Sequence, residues 1–199
     1  MDIRKRQPAK KEKFYVFSGI EKTLIGQNFI DSYYGGKSEF LDTAALSPKC
    51  VKAFNYMLRK LGEKFDVRLV ITSKKRRDEA SCESYLKLYG LDYHKPIYFT
   101  RYLTGPRGEK IVKFLEENGA SPLTFHISPL YVRIIKNLKD NPDFKNYVVV
   151  EGANKHLSRF IPHHQIKQVS AKTGFTVNDA NDILIANGIE PQVIEKNKN

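Results

Sequence analysis

The stretch FYVFSGIEKTLIG, Phe14 to Gly26, opens with four aromatic or β-branched residues and passes at once into Ser18 and Gly19. That composition marks a buried strand over 14–18 that runs straight into a loop. The loop carries Glu21, Lys22 and Thr23 before a second apolar pair, Leu24 and Ile25. The same theme recurs along the chain. VRLVIT (67–72) is a nearly continuous apolar run, which suits a strand covered on both faces, as in a parallel sheet. PIYFTRYL (96–103), YVVVEG (147–152) and QIKQVS (165–170) read as further strands, and TFHIS (124–128) as a short one.

Helical signals fall between these strands. Ser47 stands at an N-cap with Pro48 at the first helical position, and Val51, Phe54, Leu58 and Leu61 then share one face before Gly62 as a stop. A helix over 78–89 closes at Gly90, and another in GPRGEKIVKFLEENG stops at Gly119. Pro129 opens a helix reaching Lys139, and Thr176 with Asp179 forms a capping box for a last helix ending at Asn187-Gly188. Residues 25–46 show no clear period and read as an irregular flap or small hairpin. Alternating strands and helices indicate an α/β fold, a three-layer Rossmannoid sheet with helices on both faces. In such sheets ligands sit at the carboxyl ends of the strands. Those ends are SGIEKT, TSKKRR, the loop from Gly105 to Lys110, and EGANKH.

The 199 residues suit one sizeable domain, 14–190, between a basic tail (1–13) and a polar C-terminal tail (191–199). No run approaches the roughly 20 apolar residues that span a bilayer. The N-terminal MDIRKRQPAKKEK is basic without an apolar core, so a cytoplasmic protein is expected. Cys50 and Cys82 fall on helices and read as reduced thiols. The net charge of +12 favours polyanionic partners: RNA, an anionic membrane surface or an acidic protein. It equally fits a Lys-rich composition with a solvated surface. No P-loop, Rossmann glycine fingerprint or serine nucleophile elbow is present. His163-His164 has no Cys or acid at ligand spacing.

Taken in order, the strand ends resemble the haloacid dehalogenase-like (HAD) phosphohydrolase superfamily, and more narrowly the small HAD domains of RNA-repair proteins. In that family the first strand ends in Asp-x-Asp-Gly-Thr. VFSGIEKTLI has that shape, with Gly19 and Glu21 at the aspartate positions, Lys22 at the glycine and Thr23 at the threonine. LVITSKKR supplies Thr72, Ser73 and Arg76 where the family has a hydroxyl and then a basic residue. PRGEKIVKFL supplies Arg107 and Lys110, and YVVVEGAN supplies Glu151 followed by Gly152 where a pair of acids is expected. KTGFTVNDANDIL is similar to the closing turn and helix of the small group. The resemblance implies a HAD-like sheet with a minimal cap built from 25–46.

The resemblance also says what is missing. The first aspartate of the family is the nucleophile, and Gly19 has no side chain to attack phosphorus. Glu21, at the second position, is the candidate general acid and base. Glu21 and Glu151 are the candidate metal ligands, but two carboxylates are few for Mg²⁺, so weak metal binding at best is expected. The phosphate-binding candidates are Thr72, Ser73, Arg76, Arg107 and Lys110. Loss of acids with retention of bases points to a degenerate phosphatase-fold protein that binds a phosphorylated or anionic ligand with little hydrolysis. Two alternatives stand beside it. One is an active phosphohydrolase, on phosphoprotein or nucleic-acid ends, with a rearranged catalytic acid; Ser18, Asp31, Asp78 and Asp92 are the candidates for a relocated nucleophile. The other is a basic scaffold docking on RNA or a membrane.

Overall fold

The computed structural model describes residues 10–36, 44–73, 78–100, 105–118, 146–152 and 157–191. Strand β1 (Lys13–Ser18) is the middle of a five-stranded sheet. On one side it pairs with β2 (Asp66–Ile71), which pairs with β3 (Tyr98–Phe99). On the other it pairs with β4 (Tyr147–Glu151), which pairs with β5 (Ile166–Gln168). The order is β3-β2-β1-β4-β5 and every pair is parallel. The fold is therefore α/β, as expected.

Strand alternation sorts the core into two layers. Phe14 and Val16, with Val67, Leu69, Val148 and Val150, face the helices α2 (Pro48–Lys64), α3 (Glu79–Leu88) and α5 (Val177–Ala186). Tyr15 and Phe17, with Val70, Tyr147 and Val149, face α4 (Arg107–Glu117) and the short turn Leu157–Arg159. Both faces of the sheet are covered, which is why its strands read as continuous apolar runs. Cys50 and Cys82 are buried free thiols on α2 and α3. The expected capping box is present: Thr176 accepts from the Asp179 N–H, and the Asp179 carboxylate accepts from the Thr176 N–H.

Several boundaries differ from expectation. Within 25–46, the irregular flap or hairpin is corrected to a helix, α1 (Gln27–Tyr34), followed by Gly35 in the left-handed region at φ 62°. Ile30 is buried, and Phe29 and Tyr34 pack against the same core. The first N–H groups of α1 are taken up from outside: Gln27 donates to Ala171 O at 3.0 Å and Asn28 to Lys172 O at 2.8 Å. Gly26 permits that approach, because an added Cβ would lie 2.5 Å from the Thr173 backbone. Helix α2 does not stop at Gly62 but runs to Lys64, since one glycine costs a helix only about 1 kcal/mol. The third strand shrinks to Tyr98–Phe99; Pro96 has no N–H for a ladder. Residues 101–104, the TFHIS strand, the Pro129–Lys139 helix and the Gly119 stop lie outside the described residues.

Candidate functional site

The register fixes which side chains meet at the carboxyl ends of the strands. Ser18 pairs with Ile71 on one side and Val150 on the other. One step further, the ladder continues as Thr72 N–H donating to Ser18 O and Gly19 N–H donating to Val150 O. Thr72, Gly19 and Glu151 thus form one row across β2, β1 and β4. Val70, Phe17 and Val149, two residues earlier, all lie in the α4-side core, so this row faces α4 as well.

Gly19 sits in the middle of that row, and Glu151 reaches across it. The Glu151 side chain is buried, with Oε1 accepting from Thr72 Oγ1 at 2.7 Å and Oε2 accepting from Arg107 Nη1 at 2.5 Å. A Cβ added at Gly19 would stand 2.6 Å from Glu151 Oε2, so the carboxylate fills the volume that a residue-19 side chain would enter. Arg107 is brought there by the first turn of α4. Gly108, next to it, packs directly against Phe160, where an added Cβ would lie 2.7 Å from the ring. Burial pushes the Glu151 carboxyl above its ordinary value. The Arg107 guanidinium and the Thr72 hydrogen bond pull it down, and the nearby Glu21 charge pushes it up again.

The second carboxylate, Glu21, accepts from Ser73 Oγ at 2.5 Å. It belongs to a tight turn in which Leu24 N–H donates to Ile20 O and Lys22 N–H to Ile25 O. Three neighbours pin this turn. Gly152 N–H donates to Thr23 Oγ1 at 3.2 Å, Phe175 N–H to Thr23 O at 2.7 Å, and Ser47 N–H to Leu24 O at 2.9 Å. Lys22 is the one non-glycine residue with positive φ (62°) among the described residues. Tyr85 borders the same corner: its hydroxyl donates to Ala44 O at 2.5 Å, and burial, with the Glu21 charge among the smaller causes, pushes its ionisation well up.

Five of the sequence candidates thus come together: Glu21, Thr72, Ser73, Arg107 and Glu151. The hydroxyls of Thr72 and Ser73, expected to face a phosphate, donate to carboxylates of the protein itself. Lys110 lies one turn beyond Arg107 on α4 and is half-buried. Arg76 lies outside the described residues. The other carboxylates and the serine considered as a displaced nucleophile are engaged elsewhere. Ser18 Oγ donates to Gly19 O, Asp31 accepts from Gln27 on α1, Asp78 caps α3 through Ser81, and Asp92 faces His94. Two glycines at the site are close contacts as well as positions without a side chain. Gly152, expected to mark an absent acid, is a close contact: an added Cβ would lie 2.6 Å from Lys22 Cβ. Residue parity along β1 and β4 was the available signal that positions 19 and 151 would face each other.

Among the described residues no His, Cys, Asp or Glu joins Glu21 and Glu151 in a group of three that could hold a metal ion. Among the same residues no helix is long and apolar enough to cross a membrane. No family model, curated protein or solved structure matches the chain. The class that fold and geometry define is an α/β protein with a buried carboxylate, a guanidinium, two hydroxyls and a second carboxylate gathered at the ends of its central parallel strands.

Proposed function

We propose that the chain is a catalytically degenerate phosphatase-fold protein of the HAD type. It binds a phosphorylated or anionic group at the ends of β1, β2 and β4 with little hydrolysis. One observation carries this reading: the volume above Gly19, from which a nucleophile on β1 would attack, is filled by a Glu151 carboxylate already bonded to Thr72 and Arg107. Support also comes from the parallel sheet, which sets the ends of β2, β1 and β4 side by side. The same carboxylate favours a second reading, in which Glu151 is itself the acid that replaces the missing aspartate.

Release of phosphate from an aryl phosphate, with and without Mg²⁺, separates the two readings. Wild type, Glu21→Gln and Glu151→Gln should all be equally slow. Mg²⁺-dependent turnover that Glu151→Gln abolishes overturns the degenerate reading in favour of the second. Calorimetry with inorganic phosphate supplies the positive arm. Glu151→Gln replaces the carboxylate bonded to Arg107 by a neutral amide, so phosphate should bind about tenfold more tightly, as expected if a charge–charge repulsion of about 1.4 kcal/mol is relieved beside the half-buried guanidinium.

A further inference from the structure

The residue at the mouth of the site is held in a conformation that its side chain does not favour. Lys22 sits at φ 62°, where a residue with a Cβ costs about 1–2 kcal/mol relative to the right-handed region and glycine is the unstrained choice. The turn leaves no alternative, since the hydrogen bonds from Lys22, Thr23 and Leu24 to residues 20 and 25 close around it. The neighbouring loop is shaped to admit this side chain. Gly152 follows Glu151 directly, and its missing Cβ is what leaves room for Lys22 Cβ. The Lys22 side chain therefore starts one residue from Glu151, beyond the carboxyl end of β4. It is exposed, and among the described residues its ammonium takes part in no ion pair or side-chain hydrogen bond.

The cation below it is already engaged. Arg107 is bonded to Glu151, and Glu21 adds a further negative charge held by Ser73. An anion entering over these carboxylates needs a cation that they have not claimed. Residues held in such conformations cluster at functional sites, where glycine would otherwise be the unstrained choice. We infer that Lys22 is the anion-capturing residue of this site, its ammonium holding a phosphoryl-type dianion above Glu21 and Glu151. The inference rests on the proposed anion-binding reading and adds to it the residue that selects for charge.

The experiment titrates the full chain with inorganic phosphate at low salt and follows each variant's thermal midpoint. Lys22→Gly should weaken phosphate binding by about 5–20-fold, the range of one charge-assisted contact in a partly exposed site. It should also raise the midpoint by about 1–3 °C as the strain is relieved. Lys22→Asn, which tolerates the left-handed region without charge, should lose binding equally, and Lys22→Arg should keep most of it. Lys52→Ala removes an exposed charge on α2 and should change neither. Binding that survives Lys22→Gly and Lys22→Asn overturns the role of Lys22 and leaves the site reading standing. An equal loss in Lys52→Ala also overturns it, since net charge alone would then explain the effect. Wild type that binds no phosphate overturns the site reading and, with it, this inference.

Discussion

Replacing Gly19 by alanine tests the central geometric claim with one methyl group. The new Cβ would stand 2.6 Å from Glu151 Oε2 and 3.2 Å from its Cδ, closer than a carboxylate and a methyl can approach. Glu151 is buried between β4, Thr72 and Arg107, so it can yield only by stretching or breaking the Thr72 hydrogen bond, the Arg107 bond or both. A hydrogen bond to a charged group contributes about 1.5–3 kcal/mol. Against that, Gly19 is not among the positive-φ glycines, so alanine fits its backbone and gains about 0.4–1 kcal/mol through the unfolded chain. The net expectation is a loss of about 1–2 kcal/mol, or a midpoint lower by about 2–8 °C for a chain of this size. Urea and thermal unfolding followed by circular dichroism measure it. Gly62→Ala is the internal control, because an added Cβ on α2 meets nothing within 4 Å and should stabilise the protein by about 0.5–1 kcal/mol. If Gly19→Ala is stabilised as Gly62→Ala is, the carboxylate does not occupy that volume and the account of the site fails.

Gly152→Asp, the change that would supply the second late acid of the family pattern, should destabilise by more than about 2 kcal/mol, because the side chain would be forced onto Lys22. A urea midpoint unchanged from wild type would show that the loops do not touch. Glu116, near the end of α4, has a carboxyl that burial pushes up to about 7, with Lys113 pulling it down and Glu117 pushing it up; its Oε1 is buried without a hydrogen-bond partner among the described residues. The folded protein therefore binds a proton there more tightly than the unfolded chain, so this contribution to stability is full below about pH 4.5 and is lost as pH rises towards 7. Glu116→Gln should flatten the fall in unfolding midpoint between pH 5 and pH 8, and parallel curves for variant and wild type would refute the assignment.

The parts of the fold that were legible in the sequence carry their own local chemistry. The apolar run at 14–18 lies within β1, the Thr176–Asp179 box caps α5, and Pro48 opens α2. Ser47 occupies the N-cap of α2, but its side chain makes no capping bond; its N–H instead ties the helix start to Leu24 O. Helix α1 is not legible from composition because its four polar residues equal its four apolar ones and its first N–H groups depend on carbonyls from residues 171 and 172, far along the chain. The signal was present in the spacing of Phe29 with Tyr33 and Ile30 with Tyr34, each four residues apart. At the site, residue types at the strand ends named side chains that the fold brings close together. They did not identify the pairings, because whether Thr72 and Arg107 face a ligand or Glu151 depends on the register of three strands and on the absence of a Cβ at 19.

That register makes the residues at these strand ends interdependent. At the end of β1 the chain has a glycine at 19 and a long charged residue at 22; at the end of β4 it has a carboxylate at 151 and a glycine at 152. Each glycine lies against the large residue of the other segment, Gly19 under Glu151 and Gly152 under Lys22. A single restoring substitution therefore places two side chains in one volume. An aspartate at 19 would set its carboxylate against that of Glu151, and two carboxylates sharing a site cannot both ionise readily. On the proposed HAD-type reading, the bare Gly19 and the buried Glu151 are therefore two halves of one arrangement. Any change that asks whether the site can be made to turn over has to alter both strands together, for instance Gly19→Asp combined with Glu151→Ala.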